Sequence, residues 1–321
     1  MKSASITTGA STNKNTKLNF MFYLKRDWLL YLMLAIPFLF VFVFKYVPML
    51  GLIIAFKDYD PVSGGFSGIL QSKWIGFDVF KEIFKMNDFY KVLRNTLLLN
   101  ILDLVTGFPA PIILAIFLNE LRMQRFKKIS QTILYLPHFL SWVIISGIMY
   151  QLLSPNSGLI NLLIMQAGGQ PIPFVSEKWH WLATYNIVGV WQSAGWGTII
   201  YLAAITGINT ELYEAATVDG AGRVRKIWHI TLPGIRSTII VMLIMNLGKI
   251  MGISFERAYA MGNSMVMDFA DVIATFVYRV GLQSVRFNVA TAVGLFQSVI
   301  GLLLVIFTDF IAKKSGEQGI I

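Results

Sequence analysis

The sequence predicts an all-α integral membrane protein with six transmembrane helices. Three observations carry that expectation. Of the 321 residues, 55% are hydrophobic and only 14% charged, whereas soluble domains carry roughly 25% charged residues. With a mean hydropathy of +0.63 the chain lacks the polar surface to stand in water. Six apolar stretches, at 29–49, 95–118, 131–153, 183–208, 238–255 and 290–311, each approach the roughly 20 residues a helix needs to cross about 30 Å of hydrocarbon. The net charge of +10 gathers between those stretches in the pattern of a bilayer, so no nucleic-acid partner is expected.

The elements follow in order. Residues 1–28 begin MKSASITTGASTNKNTK, polar and without an apolar core, so they read as a cytoplasmic tail rather than a cleavable signal peptide. An aromatic and basic stretch from Phe20 to Trp28 completes that segment at the membrane surface. A six-span domain then fills 29–312, and 313–321 is a short cytoplasmic tail. The prolines at 37, 109, 111 and 137 would break soluble helices, but membrane helices tolerate them. The fifth stretch is the weakest, because Lys249 lies inside it and Glu256 follows closely. Ser63-Gly64-Gly65 and Gly168-Gly169 mark turns. With the N-terminus inside, the cytoplasmic segments hold fifteen Lys and Arg residues against ten in the longer outer segments. Both termini are therefore expected in the cytoplasm.

Several chemistries are excluded. There is no cysteine, hence no disulfide, thiol nucleophile or thiolate metal site. His138, His180 and His229 lie in three segments without metal-ligand spacing, and His138 reads as a packing residue. No G-x-x-x-x-G-K-[ST] occurs, so any ATP must bind a partner chain. No catalytic constellation is present, and the chain is not expected to be an enzyme. Ionisable residues inside a membrane are costly and often functional, and Lys45, Asp103 and Lys249 qualify. A Lys45–Asp103 pair would neutralise two of them.

Two passages interrupt the apolar pattern. The fourth stretch contains YNIVGVWQSAGWGTIIY, in which Gln192, Ser193 and Trp196 are placed by helical spacing on one face. Gly189, Gly195 and Gly197 allow close approach of a neighbour. Asn246 and Lys249 share a face of the fifth stretch. These amides and aromatic faces suit a sugar pathway, and they equally suit hydrogen bonds between neighbouring helices. The cytoplasmic loop 209–237 reads EAATVDGAGRVRKIWHITLP over residues 214–233, two short amphipathic helices hinged at Asp219-Gly220. That is the shape of a segment gripped by a partner, or of an ordinary turn between spans.

Glu214-Ala215-Ala216, Asp219-Gly220-Ala221, then Ile230 and Leu232-Pro233 resemble the EAA loop of ABC importer permeases. Tyr46-Val47-Pro48, Ala55-Phe56-Lys57-Asp58-Tyr59, Trp74-Ile75-Gly76-Phe77, Asn95-Thr96 and Leu136-Pro137-His138-Phe139-Leu140-Ser141-Trp142 are similar to the branch that takes up complex oligosaccharides. Together these motifs extend the resemblance from about residue 28 to 312. Trp228 stands where phenylalanine is usual, and no proline follows Pro233 within a turn. The resemblance implies a type I importer permease fold in a bacterial cell membrane. It implies coupling to the ATPase through Glu214, Ala215, Ala216, Asp219, Gly220, Ala221, Leu232 and Pro233, and a sugar pathway along Gln192, Ser193, Trp196 and Asn246. It also implies a second homologous permease, two ATPase subunits that bind the ATP, and an extracytoplasmic sugar-binding lipoprotein, with no cofactor on this chain. A channel or ion-coupled carrier is the alternative. It requires a relay of buried acids, of which the sequence offers only Asp103.

Overall fold

A computed structural model describes residues 25–252, 254–314 and 316, without the side chains of 62–64 and 66. Nearly all of the tail expected at 1–28, and most of that at 313–321, lies outside the described residues. The described residues form helices and turns, with one isolated antiparallel bridge between Lys57 and Trp74. The chain divides into two compact units, Met1–Leu52 and Ile53–Ile321.

In the first unit, α1 (Trp28–Val41) continues through a π turn at Phe42–Tyr46. None of its residues is buried, and Leu30, Leu34, Phe38 and Phe42 all stand open. A helix that is apolar all round is built for lipid or for other helices.

The second unit carries the remaining principal helices. They are α2 (Asn87–Leu102), α3 (Pro109–Glu120), α4 (Gln124–Tyr135), α5 (Trp142–Leu153), α6 (Lys178–Thr206), α7 (Thr210–Val218), α8 (Arg236–Gly248) and α9 (Phe287–Lys314). A π turn at Asp103–Gly107 joins α2 to α3. Pro109 and Pro111 sit in the first turn of α3, where backbone N–H groups have no helical partner to lose. Among the described residues, four runs are long and apolar enough to cross a membrane: Trp28–Phe56, Asn87–Glu120, Lys178–Thr206 and Phe287–Lys314. Two bent pairs raise the number to six if each is one span.

Those bent pairs correct the expected boundaries. The stretch 131–153 is not one straight helix, because α4 with its 3₁₀ extension Leu136–Phe139 meets α5 at 101°. Pro137 cannot continue the α4 hydrogen-bond ladder, Leu140 and Ser141 are extended, and the Ser141 hydroxyl restarts the helix by accepting from the Ile144 N–H. The second pair, Arg223–Gly234 with α8, bends by 60°. Its α8 stops at Gly248, so Lys249 caps the end of the expected fifth span instead of lying within it.

Two of the motifs that carried the resemblance, Ala55–Tyr59 and Trp74–Phe77, meet in space. Phe56 stacks on Trp74 at 5.6 Å and meets Phe77 edge-on, while Lys57 donates to the carbonyls of Ile69 and Leu70. Fully buried Asn95 donates to the carbonyls of Asp268 and Asp271, and the Thr96 hydroxyl accepts from the Ile273 N–H. These bonds fasten α2 to the short helices between α8 and α9. Around them, Phe89, Val92, Ile273, Phe276, Val289 and Val293 form one apolar core. Leu99, Ile145, Trp181 and Tyr185 form a second, and Ala115, Tyr201, Ile205 and Ile235 a third.

Candidate translocation cleft and coupling segment

A cleft of about 360 Å³ opens between the α2–α3 run, α6 and α8. From α6 it is lined by Gly189, Ser193, Gly197 and Tyr201, four residues apart and so on one stripe of the helix. α8 contributes Met242 and Asn246, and Lys249 follows at its end; α2 contributes Asn100. The lining mixes amides and hydroxyls with apolar surface, a composition that suits a polyhydroxylated ligand.

An ion pair closes one side of the cleft. Arg257 donates from Nη1 to Asp103 Oδ2 at 2.6 Å and from Nη2 to Asp103 Oδ1 at 3.2 Å. Its Nη2 also donates to the Tyr185 carbonyl at 2.7 Å, and the guanidinium lies 3.8 Å from the Tyr185 ring centre. Arg257 is 8% exposed. Within the second unit, the carboxylate of Asp103 therefore takes its cation from residue 257. The guanidinium offers two parallel donors to the carboxylate, a geometry that an ammonium cannot reproduce. Gly189 makes the pair possible, because a methyl group there would overlap the guanidinium. Asn186 bonds Asp103 from the same helix at 3.4 Å and accepts from Thr106 in the π turn at 2.9 Å.

The four expected pathway residues do not stand together. Ser193 and Asn246 line the cleft. Gln192 and Trp196 face the segment between α4 and α5, where Gln192 donates to the His138 carbonyl at 3.4 Å and the Trp196 indole lies flat on the His138 ring at 4.7 Å. Adjacent residues on a helix point about 100° apart, so the positions immediately before Ser193 and Gly197 turn to a different neighbour. Ser193 also donates to the Gly189 carbonyl, which leaves its oxygen as an acceptor. Gly195 lets the Leu134 carbonyl approach closely, and Gly197 lies against the Pro111 ring.

The loop after α6 is organised by short-range bonds. The Asn209 side chain accepts from the Glu211 N–H and starts α7. At its end Gly220 adopts φ +72°, while the Gly220 and Ala221 N–H groups donate to the Thr217 and Ala216 carbonyls. This is the left-handed termination that glycine allows without Cβ strain. Lys226 donates to the Thr217 hydroxyl, and Tyr213 shares a hydrogen bond with Thr231, so the two halves of the loop are tied. Glu214, Ala215, Asp219 and Gly220 are exposed, Ala216 and Ala221 half-buried. Leu212, Val218, Val224 and Trp228 leave apolar surface open, Val218 at 89%. Leu232 and Pro233 lie in the turn that leads into α8, and Gly234 packs on Ile208.

Comparison with known proteins decides what this architecture belongs to. Residues 89–316 match the family described as binding-protein-dependent transport system inner membrane component. The chain belongs to that family. It is 46% identical over 303 residues to Protein LplB of Bacillus subtilis (strain 168), with 94% of each chain covered. It is also 46% identical over 291 residues to the polygalacturonan/rhamnogalacturonan transport system permease protein YteP of that strain, covering 91% of this chain and 89% of the relative. Among solved structures it is similar to a chain of a bacterial alginate ABC transporter in complex with an alginate pentasaccharide-bound periplasmic protein. The TM-score there is 0.84 at 39% identity, with 94% of this chain and 99% of that chain covered.

As a permease of this family, the chain is a non-enzymatic transport component. The comparisons lend nothing to a channel or ion-coupled carrier. Sequence reasoning missed Arg257, Tyr185 and Asn100. Arg257 lies in a stretch that reads as an outer loop, and the only trace of its position is the glycine opposite it, Gly189.

Proposed function

We propose that this chain is the permease subunit of an ATP-driven importer of oligosaccharides, lying in a bacterial cell membrane with both termini in the cytoplasm. It pairs with a second, homologous permease and two ATP-hydrolysing subunits, and an extracytoplasmic binding lipoprotein delivers the sugar. One observation carries the reading: the coupling segment and the cleft share their two helices. α6 runs from the cleft stripe Gly189–Tyr201 directly into α7, and the segment returns through Leu232-Pro233 into α8, which carries Asn246. A rigid push on Thr210–Val218 therefore moves two walls of the cleft together. Glu214, Ala215, Ala216, Asp219, Gly220 and Ala221 present the docking face, with Leu232 and Pro233 at its root.

Ser193 and Asn246 form the polar wall of the pathway. Gln192 and Trp196 act on it from behind, through the His138 segment they hold, and Trp196 keeps 45% of its surface open for a further neighbour. ATP binds the partner subunits, and this chain needs no cofactor.

The absence of cysteine from the natural sequence makes a direct test available. In the assembled transporter, Val218→Cys should cross-link to a cysteine in the ATP-hydrolysing subunit, and Met265→Cys should not. In intact cells a membrane-impermeant thiol reagent should label Met265→Cys and spare Val218→Cys. The reverse labelling pattern would overturn the orientation, and no cross-link from any position between 212 and 224 would overturn the coupling role.

A further inference from the structure

A single ridge of α6, advancing four residues at a time, carries Trp181, Tyr185, Gly189, Ser193, Gly197 and Tyr201. From Gly189 toward α7 this ridge lines the cleft. Away from α7 it is covered by the short helix Phe255–Met261. Trp181 donates from Nε1 to the Met261 carbonyl at 2.8 Å, and Arg257 donates from Nη2 to the Tyr185 carbonyl at 2.7 Å. The guanidinium fills the notch at Gly189, while Ala258 and Met261 share a core with Trp181 and Tyr185. One ridge is therefore open over one half and capped over the other, and the Arg257–Asp103 pair stands at the boundary. Without the cap the cleft would run on past Tyr185 and Trp181 to the start of α6 at Lys178.

We infer that Phe255–Met261 is a plug that seals the cleft against the outside, and that the Arg257–Asp103 pair is the latch that seats it. The inference rests on the importer reading, whose orientation puts this segment outside, and it makes Arg257 a positioning residue with no contact to sugar. The seat is incompletely matched: the Tyr185 hydroxyl and Arg257 Nε are buried without a hydrogen-bond partner, an expense that packed interiors usually avoid. Asp103 keeps 29% of its side-chain surface open, so its carboxylate can be hydrated from the cleft when the arginine leaves. Two charges attract strongly where water is excluded and weakly once both are hydrated, so the latch grips when seated and lets go when wetted. The far face of the plug carries Phe255 and Tyr259, stacked at 5.1 Å and both against Tyr278. A hollow of about 580 Å³ beside Tyr259, Tyr278 and Gln283 gives the plug room to withdraw on that side. The chain beyond the plug is fastened instead. Asn263 donates to the Tyr150 hydroxyl and the Val175 carbonyl, and Asn95 holds the carbonyls of Asp268 and Asp271. Because the notch at Gly189 lies on the helix that runs into α7, movement of the coupling segment shifts the seat under the arginine.

The test uses the whole transporter in liposomes, with its binding protein and a mixture of galacturonate, mannuronate and galactose trimers outside. A membrane-impermeant maleimide is the probe, added with or without enclosed ATP. Ala258→Cys places a thiol on the buried face of the plug, and Val272→Cys places one in the same core on the fastened continuation. During import the thiol at 258 should label much faster than at rest, while that at 272 stays shielded in both conditions. Asp103→Asn should raise the resting rate at 258 about tenfold, the scale of one charge-assisted hydrogen bond. Arg257→Lys, which keeps the charge without the paired donors, should raise it less. General loosening would expose both thiols, so a rise at 258 alone belongs to the plug. A thiol at 258 that stays as shielded as that at 272 during import overturns the plug. Equal resting rates in the parent and Asp103→Asn overturn the latch, and a parallel rise at both positions overturns the inference as a whole. Each of these results leaves the importer reading standing if import continues. No ATP-dependent import of any trimer overturns that reading and this inference with it. If Asp103→Asn fails to assemble, Gly189→Ala takes its place, since it keeps both charges and displaces the guanidinium.

Discussion

The coupling segment and the cleft are built on the same two helices, yet they are held together in opposite ways. Bonds within residues 209–231 are local: Asn209 to Glu211, Thr217 to Tyr213, Lys226 to Thr217, Tyr213 to Thr231. The cleft is held by contacts between distant parts of the chain, Arg257 reaching 154 residues back to Asp103 and 72 to Tyr185. A segment held by local bonds can move as one body while its surroundings rearrange. A buried network that ties three distant elements changes only as a whole, because leaving any member unpaired is expensive. On the proposed function, the difference is that between a lever and the frame it acts on.

The largest expected effect breaks the frame. Arg257→Met leaves Asp103 without its cation and removes the donor to the Tyr185 carbonyl, and loss of one partner from a buried pair costs about 3–5 kcal/mol. Thermal unfolding of the detergent-solubilised transporter should show this directly, and Asp103→Asn combined with Arg257→Met should recover part of the loss. A double variant no more stable than Arg257→Met alone would mean that the pair is not the unit that matters. Next comes Gly195→Ala, where the added methyl meets the Leu134 carbonyl, a backbone atom that cannot rotate away. Overpacking of this kind costs about 1–3 kcal/mol.

Gly220→Ala tests the lever with a smaller change. No atom lies within 4 Å of the position, so the only penalty is the left-handed backbone, about 1–2 kcal/mol for a residue with a Cβ. Stability of the whole chain should fall by less than in Gly195→Ala, whereas ATP hydrolysis and uptake should fall out of step. A drop in unfolding temperature as large as that of Gly195→Ala would remove the distinction between the two regions. The smallest effect is electrostatic. The Lys91 ammonium holds the Asp268 carboxyl below its ordinary value of 3.8 through a hydrogen bond reinforced by its charge. A depressed carboxylate pKa stabilises the fold above the unfolded value and loses that contribution as the pH falls through the folded one. Lys91→Met should therefore differ slightly from the parent near neutral pH and coincide with it once the pH has fallen below the depressed Asp268 value. Asp268 is exposed, so added salt should shrink the difference.

Legibility in the sequence followed the same division. The course of the segment at 209–237 was legible, because its turn and restart depend on near neighbours: a glycine in a left-handed turn and a proline before the next span, though the Asn209 cap was not read. The positions of four apolar stretches were legible from hydropathy, but the 101° break at Leu140–Ser141 was not, since Pro137 alone does not distinguish a kink from a full stop. The cleft was half legible. Ser193 and Asn246 could be found because polar side chains stand out in apolar helices. The face of Gln192 and Trp196 depended on which neighbour occupies the adjoining 100° of the helix, and only packing decides that. Arg257 could not be found at all, for nothing local marks a loop arginine that folds back among the helices.

The central claim is that ATP hydrolysed by partner subunits drives sugar import through this chain by way of the loop at 209–237. The measurement that tests it is ATP-dependent accumulation of oligosaccharide in liposomes holding the full transporter, compared with the same transporter carrying Gly220→Trp. A bulky ring there both strains the turn and covers the proposed docking face, while Asp103, Arg257 and the cleft remain as they were. The account predicts a correctly inserted complex with the native unfolding temperature, binding-protein-independent or absent ATPase activity, and loss of accumulation. Undiminished ATP-driven accumulation by the Gly220→Trp transporter would contradict it.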